Sequence, residues 1–240
     1  VMLLLVEEGS ASSRPYPVRI IDDHELFSTT LTMALRSEGF DARTLPVAEV
    51  ADFVSRPATD RAGLVVLDLD LNRDAEGRYV HGADLVGGLR AAGWKVLVVS
   101  GSADDPGTAS AIAAGAIGAL PKSRSFAELL GTVIAAAGGT PVMSETEHHQ
   151  WLERHRRYRE QERELSRRLA RLSHRERDVL ELLAAGMRAA AIAEHFVVSM
   201  PTVRTQIRSL LTKLEVGSQL EAVALVRQLP DPPERSKRGS

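Results

Sequence analysis

Leu64-Val65-Val66-Leu67-Asp68-Leu69-Asp70 is the stretch on which the chain turns. Four apolar residues in succession predict a strand buried on both faces, as strands are in a parallel sheet flanked by helices. The run ends in a carboxylate. In open α/β sheets chemistry collects outside the carboxyl ends of the strands, so Asp68 is delivered to the place where a reactive group belongs.

Toward the N-terminus, Val18-Arg19-Ile20-Ile21 is a similar run closed by Asp22-Asp23, and Leu26, Leu31, Met33, Ala34 and Leu35 follow at helical spacing up to Gly39. A strand over 41–45 and a helix over 47–54 complete this side. Beyond Asp68 the pattern predicts a helix over 83–92 closed by Gly93, then a strand over 95–99 ending in Ser100-Gly101. A short helix over 109–114 stopped by Gly115 and a strand over 116–120 ending at Pro121-Lys122 come next. Ser125-Phe126-Ala127-Glu128 opens a fifth helix with a capping box, the serine oxygen and the glutamate each satisfying a free backbone donor.

Five such alternations predict an α/β fold, a doubly wound five-stranded parallel sheet. The strand ends then bring Asp22, Asp23, Asp68, Ser100 and Lys122 to one rim. Three neighbouring carboxylates repel unless a hard cation sits among them, and oxygen ligands of this kind suit Mg²⁺. A lysine and a hydroxyl beside that cation make a place for a phosphoryl group.

Composition bounds the rest. A chain of 240 residues that is 44% hydrophobic can bury one good core or two smaller ones, and two domains is the expectation. The absence of cysteine excludes a disulfide framework, a thiolate zinc site and a cysteine nucleophile; it fits a reducing compartment, with the cytoplasm as the default. Residues 1–145 carry 12 Lys+Arg against 19 Asp+Glu, and residues 146–240 carry 18 against 13. A front half at -7 and a back half at +5 suggest that only the back half meets a polyanion. The apolar run at 1–6 is far too short to span a membrane, and residues 1–16 are expected to form a disordered extension.

On these residues the front half resembles the receiver domain of bacterial two-component response regulators, with domain limits at 17–140. The resemblance implies a metal site for Mg²⁺ on Asp22, Asp23 and Asp68, phosphorylation of Asp68 by a sensor histidine kinase or small phosphodonor, a switch hydroxyl on Ser100 and a phosphate-binding Lys122. Gly101 leaves room for phosphoryl oxygens. Three positions depart from the family: Asn72 stands where proline is usual, Asn72 to His81 lengthens the loop after Asp68 by some six residues, and Ala119 replaces the switch aromatic that follows the hydroxyl inward. Asp68-Leu69-Asp70 with Val98-Val99-Ser100-Gly101 also resembles the haloacid-dehalogenase phosphatases. Those enzymes, however, carry their other acidic ligands after the lysine.

Gly138-Gly139-Thr140-Pro141 breaks the last helix of this half. Residues 141–171 form the linker, where Glu145 to Leu172 holds no Gly or Pro and predicts a helix of roughly 40 Å. Trp151, Tyr158, Leu165 and Leu172 recur every seven residues, but His155 and Glu162 occupy the alternate apolar places, so a pairing seam is half built. A solvated spacer and a helix that pairs in a dimer fit equally well. His148, His149 and His155 have no companion ligands and are expected in solvent.

Ser173-His174-Arg175-Glu176 is a second capping box, opening a helix with Val179, Leu180, Leu182 and Leu183 on one face and Gly186 as its stop. A helix over 189–196 follows, and then one capped by Ser199 with Pro201 in its first turn. The latter buries Val203, Ile207, Leu210, Leu211 and Leu214 and turns Arg204, Thr205, Arg208, Ser209 and Thr212 outward. Small polar residues between cations suit a helix lying in a major groove. A fourth helix opens at Ser218-Gln219-Leu220-Glu221. Residues 172–229 resemble the four-helix LuxR-type helix-turn-helix domain on Leu172-Ser173, Arg175-Glu176, Val179-Leu180, Ile192-Ala193, Ser199, Thr202-Val203-Arg204, Lys213-Leu214, Val216 and Glu221-Ala222-Val223. That resemblance implies double-stranded DNA as partner, Arg204, Thr205 and Arg208 at bases or groove, Lys213 on phosphate, and a homodimer through the fourth helix. Glu215 stands at the usual glycine and Gln206 at the usual histidine. Residues 230–240 are expected to be a disordered tail.

The chain therefore resembles a response-regulator transcription factor of the NarL/FixJ family, with no enzyme activity on a separate substrate and no membrane partner. A receiver that controls DNA binding without phosphate is the second expectation, and the phosphatase the third.

Overall fold

The computed structural model describes residues 15–55, 63–73, 79–101 and 106–227, in two compact units, residues 1–155 and 156–240. The expected tail and all but Pro15 and Tyr16 of the expected extension lie outside the described residues. Tyr16 already belongs to the fold: its carbonyl accepts from Asp41 N at 3.1 Å and its ring meets Phe40 edge-on at 6.4 Å.

In the first unit the order is β1 (Pro17–Ile21), α1 (Glu25–Ser37), β2 (Asp41–Thr44), a 3-10 turn (Val47–Glu49) running into α2 (Val50–Ser55), and β3 (Leu64–Asp68). It continues with β4 (Asp70–Arg73), β5 (Tyr79–His81), α3 (Gly82–Ala91), β6 (Lys95–Ser100), α4 (Pro106–Ala113), β7 (Gly118–Pro121) and α5 (Phe126–Ala137). Strands β2-β1-β3-β6-β7 form one parallel sheet in that order. This is the doubly wound arrangement expected, with β3 at its centre and the reversal of strand order between β1 and β3. All five residues of β3 are buried, as its unbroken apolar run requires.

Alternation along the strands sorts the core into two layers. Ile21, Val65, Leu67, Val96 and Val98 pack under α2, α3 and α4, whereas Val18, Ile20, Leu64, Val66, Leu97 and Val99 pack under α1 and α5. The capping box at Ser125 and Glu128 forms as expected, with Ser125 N donating to Glu128 Oε2 at 3.1 Å and Glu128 N to Ser125 Oγ at 3.4 Å.

The extended loop after Asp68 is instead a hairpin. Its strands β4 and β5 pair antiparallel, Asp70 opposite His81 and Leu71 opposite Val80, as a second two-stranded sheet. Leu71 is fully buried, an apolar anchor that the loop reading overlooked. At the hairpin base Gly82 N donates to Leu69 O at 2.9 Å, and a Cβ at Gly82 would collide with the Asp68 carbonyl oxygen. Glycine there lets the hairpin close against the end of β3.

Helix α6 (Glu145–Ala170) is the linker helix, and the division between units falls within it, at His155 and Arg156. It opens with a capping pair that sequence reading passed over, Ser144 N donating to Glu147 Oε2 at 2.9 Å and Glu147 N to Ser144 Oγ at 3.2 Å. Two members of the heptad series are consumed within their own units, Trp151 against the first core and Leu172 in the core of the second.

The second unit is all helical: α7 (His174–Ala184), α8 (Ala189–Phe196), α9 (Met200–Leu214) and α10 (Gln219–Arg227). Leu172, Val179, Leu180, Ile192, Val203, Ile207, Leu210, Leu214 and Ala222 form its core. Ser173 and Glu176 cap α7 reciprocally, and Ser199 Oγ accepts from Thr202 N at 3.3 Å with Pro201 in the first turn of α9. Among the described residues no helix is long and apolar enough to cross a membrane.

Candidate functional site

The carboxyl ends of β1, β3 and β7 converge as the spacing required. Asp68 closes β3 with its side chain 1% exposed, and Asp22, just past β1, is 2% exposed. Lys122, just past β7, places Nζ 2.6 Å from Asp68 Oδ2 and 2.9 Å from Asp22 Oδ2. The Asp22 contact is an ion pair without the direction of a hydrogen bond, which leaves that buried oxygen unsatisfied as an acceptor. Asp23 is the more open of the pair at 17%. Ser100 ends β6, buried, one residue beyond the register partner of Asp68, and Lys122 N donates to its carbonyl at 2.7 Å.

Burial raises the Asp68 carboxyl above the ordinary carboxylate range; the Lys122 hydrogen bond opposes this and Asp22 adds to it. Burial pulls the Lys122 ammonium down, but its hydrogen bond to Asp68 and its ion pair with Asp22 outweigh that and hold its pKa above the usual lysine value. Lys122, 21% exposed, brings one positive charge to a rim with three carboxylates, too little to neutralise them. Ligand atoms of Asp22, Asp23, His24 and Asp68 all lie within 4.8 Å of one another. Gly101 leaves the approach open, since a Cβ there would meet nothing nearer than Asp70 Oδ2 at 3.9 Å.

Three neighbours of this rim were not read from the sequence. His24 Nδ1 lies 2.8 Å from Asp23 Oδ1 and 3.2 Å from Asp22 Oδ1, and the only sequence signal was its place directly after the acidic pair. Asp70 N donates to Asp68 Oδ1 at 3.3 Å. Lys122 Nζ sits 5.5 Å above the Phe27 ring, a packing partner from α1 with no sequence signal.

In the second unit α8 and α9 form a helix-turn-helix whose turn includes Val197 in the left-handed region, φ 55°. Arg204, Thr205 and Arg208 are exposed on α9, and among the described residues neither arginine pairs with a carboxylate. Thr205 and Thr212 fold their hydroxyls back onto the carbonyls of Pro201 and Arg208, each at 3.0 Å, so that face carries arginines over short, locally satisfied side chains.

Lys213 is placed differently. Its Nζ lies 2.7 Å from Glu176 Oε2 and 2.9 Å from Oε1, and Ser209 Oγ donates to the same Oε1 at 2.6 Å. Burial would raise the Glu176 carboxyl, yet the hydrogen bonds from Lys213, Ser209 and Ser173 hold it at about 2. The lysine expected on DNA phosphate is thus engaged in fastening α9 to α7.

The sequence matches the description "Response regulator receiver domain" over residues 18–134 and "Bacterial regulatory proteins, luxR family" over residues 170–226. It is 33% identical over 219 residues to the nitrate/nitrite response regulator protein NarP of Escherichia coli K12, covering 89% of this chain and 95% of NarP. The chain is a NarL/FixJ-family response regulator. This response regulator is also 28% identical to the transcriptional regulatory protein FixJ of Azorhizobium caulinodans over 211 residues, 87% of the chain and 90% of FixJ. Solved structures similar to it include the response regulator StyR, 27% identical with a TM-score of 0.41, covering 90% of this chain and all of that one. The RcsB–DNA complex is 20% identical with a TM-score of 0.46 at the same coverage.

The family is one of transcription regulators. In this regulator the acidic pair follows β1 and so precedes β3 and Asp68, opposite to the order that the phosphatase resemblance needs. Glu215 keeps the backbone form of the glycine it replaces: it ends α9 in the left-handed region, φ 60°, and its carboxylate pairs with Arg168 at 3.1 Å and Arg171 at 2.9 Å.

Proposed function

We propose that this response regulator is switched by phosphorylation of Asp68 and carries that state to sequence-specific DNA binding by α9. The observation that supports it best is the contact of Lys122 with both Asp68 and Asp22, two buried acids from different strands. A lysine so placed can follow a phosphoryl oxygen once Asp68 is esterified. Asp68 is the nucleophile: its Oδ attacks phosphorus of a phosphohistidine on a sensor kinase, or of a small acyl phosphate, and the donor atom leaves with the old bond's electrons. In this reading Ser100 donates its hydroxyl to a phosphoryl oxygen, and Lys122 pairs with another.

The donor set fits a divalent cation. Asp22, Asp23 and Asp68 offer oxygens at a rim with surplus negative charge, the ligand chemistry of Mg²⁺. When bound, the ion would neutralise charge on the transferring phosphoryl group. Asp22, Asp23 and Asp68 would hold it, and Lys122 would share the remaining charge.

For DNA, Arg204, Thr205 and Arg208 are proposed as the groove-facing residues, with the chain acting as a homodimer when phosphorylated. Arginine on guanine edges or phosphate is the commonest pairing for such a face. A regulator of this kind works where the chromosome is, which is the basis for placing it in the cytoplasm. Ala119 supports a second reading, in which DNA binding is independent of phosphate because no ring follows Ser100.

Intact-mass analysis with acetyl phosphate and Mg²⁺ tests the first reading. Wild type gains one phosphoryl group and Asp68→Asn gains none; equal labelling of both removes Asp68 as the acceptor. Sedimentation and DNA titration of labelled and unlabelled protein then decide between the two readings, since the second requires no change in either.

A further inference from the structure

Strand β7 is one of the two edges of the parallel sheet, and the chain leaving α5 covers it. Two small residues make this possible. A Cβ on Gly118 would come within 2.8 Å of Val142 Cγ1, so Val142 lies directly on the strand, and Ala119 beside it offers only a methyl. Val142 packs with the core layer under α1 and α5, whereas Met143 and Trp151 pack with the opposite layer, so residues 142–151 wrap around the edge from one face to the other. A cavity of about 440 Å³ remains there, bordered by Ala119, Leu120, Arg124, Ala135, Met143 and Trp151. Arg154 lies over the indole at 4.8 Å to its centroid.

This edge adjoins the phosphoryl rim through a few residues. Val96 and Val98 belong to the layer that Trp151 joins, and strand alternation puts Ser100 on the same face. Ala119 is the register partner of Val98, and Pro121 that of Ser100. Lys122 bonds back to the Ser100 carbonyl, and Arg124, two residues later, borders the cavity. A displacement of Ser100 or Lys122 therefore changes the walls around the indole.

We infer that the β7 edge is a docking site for the linker's own Trp151, and that this indole, supplied by α6, is the ring that responds when Asp68 and Ser100 engage a phosphoryl group. The inference rests on the Asp68 reading above and names the side chain through which that site is reported. The occupant is a segment of this chain already seated on the strand, and the unfilled space beside it lets the ring settle in more than one position.

The test uses full-length protein carrying 5-fluorotryptophan, whose two ¹⁹F resonances, from Trp94 and Trp151, are assigned with Trp151→Phe. Without phosphodonor, Ala119→Phe fills the cavity and moves the Trp151 resonance toward its solvent-exposed position while that of Trp94 stays. With acetyl phosphate and Mg²⁺ the wild-type Trp151 resonance shifts in proportion to labelling measured by mass. Trp151→Ala labels to the same extent as wild type, but its labelling-induced gain in dimer affinity shrinks by about fivefold or more. A Trp151 resonance unmoved by Ala119→Phe or by full labelling overturns the inference and leaves Asp68 phosphorylation standing, as does a Trp151→Ala protein with the full dimer response. Absence of labelling in the wild type overturns both, and the mass measurement identifies that outcome.

Discussion

Among the described residues Val197 carries the clearest local strain. A β-branched side chain in the left-handed region crowds its own backbone, and at 90% exposure it gains nothing from burial in return. Val197→Gly is expected to stabilise the helical unit by about 0.5–1 kcal/mol, the relief of strain exceeding glycine's entropy cost, as read by urea unfolding. Glu215 has the same backbone form but recovers part of the cost through Arg168 and Arg171. Because those pairs are half exposed, Glu215→Gly exchanges one small effect for another and should change stability by no more than about 0.5 kcal/mol. Glu215→Ala loses the pairs and keeps the strain, so it should be the less stable of the two. At Asp68 the sequence told where the residue would stand, because an apolar run ending in a carboxylate puts that group at the end of a buried strand. It could not tell that Lys122 would be held by Asp22 as well, a contact between residues a hundred positions apart.

At the scale of elements, Glu176 does two things at once. It completes the cap of α7 and holds Lys213 and Ser209 of α9, so one carboxylate fixes two helices against each other. Glu176→Gln should cost about 2–3 kcal/mol, more than the roughly 1 kcal/mol of an ordinary cap such as Ser125→Ala. Lys213→Ala should likewise lower the unfolding midpoint. Arg204→Ala and Arg208→Ala should leave that midpoint unchanged and weaken DNA binding by about 1–3 kcal/mol where they meet bases, or reduce its salt slope where they meet phosphate. Helix existence and caps were legible because spacing and Ser-x-x-Glu patterns are local. The hairpin of β4 and β5 was not: its residues read as polar loop, and only Leu71, buried after the chain has folded, betrays a strand. The pairing of Lys213 with Glu176 was hidden for the same reason, since a lysine facing outward and a lysine reaching back to the neighbouring helix look alike in sequence.

For the whole molecule, the two units should answer acid in opposite senses. Glu176, held at about 2 in the fold against its usual 4.5, stabilises the helical unit above about pH 4.5, and that contribution is lost as pH falls toward 2. Asp68, raised in the fold, weakens the metal-free first unit at neutral pH, and the penalty fades as pH falls through its folded value and ends below its unfolded one. In EDTA at pH 7 Asp68→Asn should therefore melt higher than wild type, with the gap closing in acid; calorimetry from pH 3 to 7 resolves both trends. Two domains of unlike charge were legible from composition, but the division inside α6 was not, because a continuous helical pattern does not reveal that Trp151 is claimed by the core before it. The hairpin also has a use. Its stem pairs Asp70 with His81 and Leu71 with Val80, and Gly82 fastens its foot to Leu69, so the spacing of the two strands is set at the base. A peptide tag or small fluorescent probe spliced between Arg73 and Tyr79 would enter beyond that closed clasp, so such an insertion should leave the spacing of Asp22, Asp68 and Lys122 undisturbed.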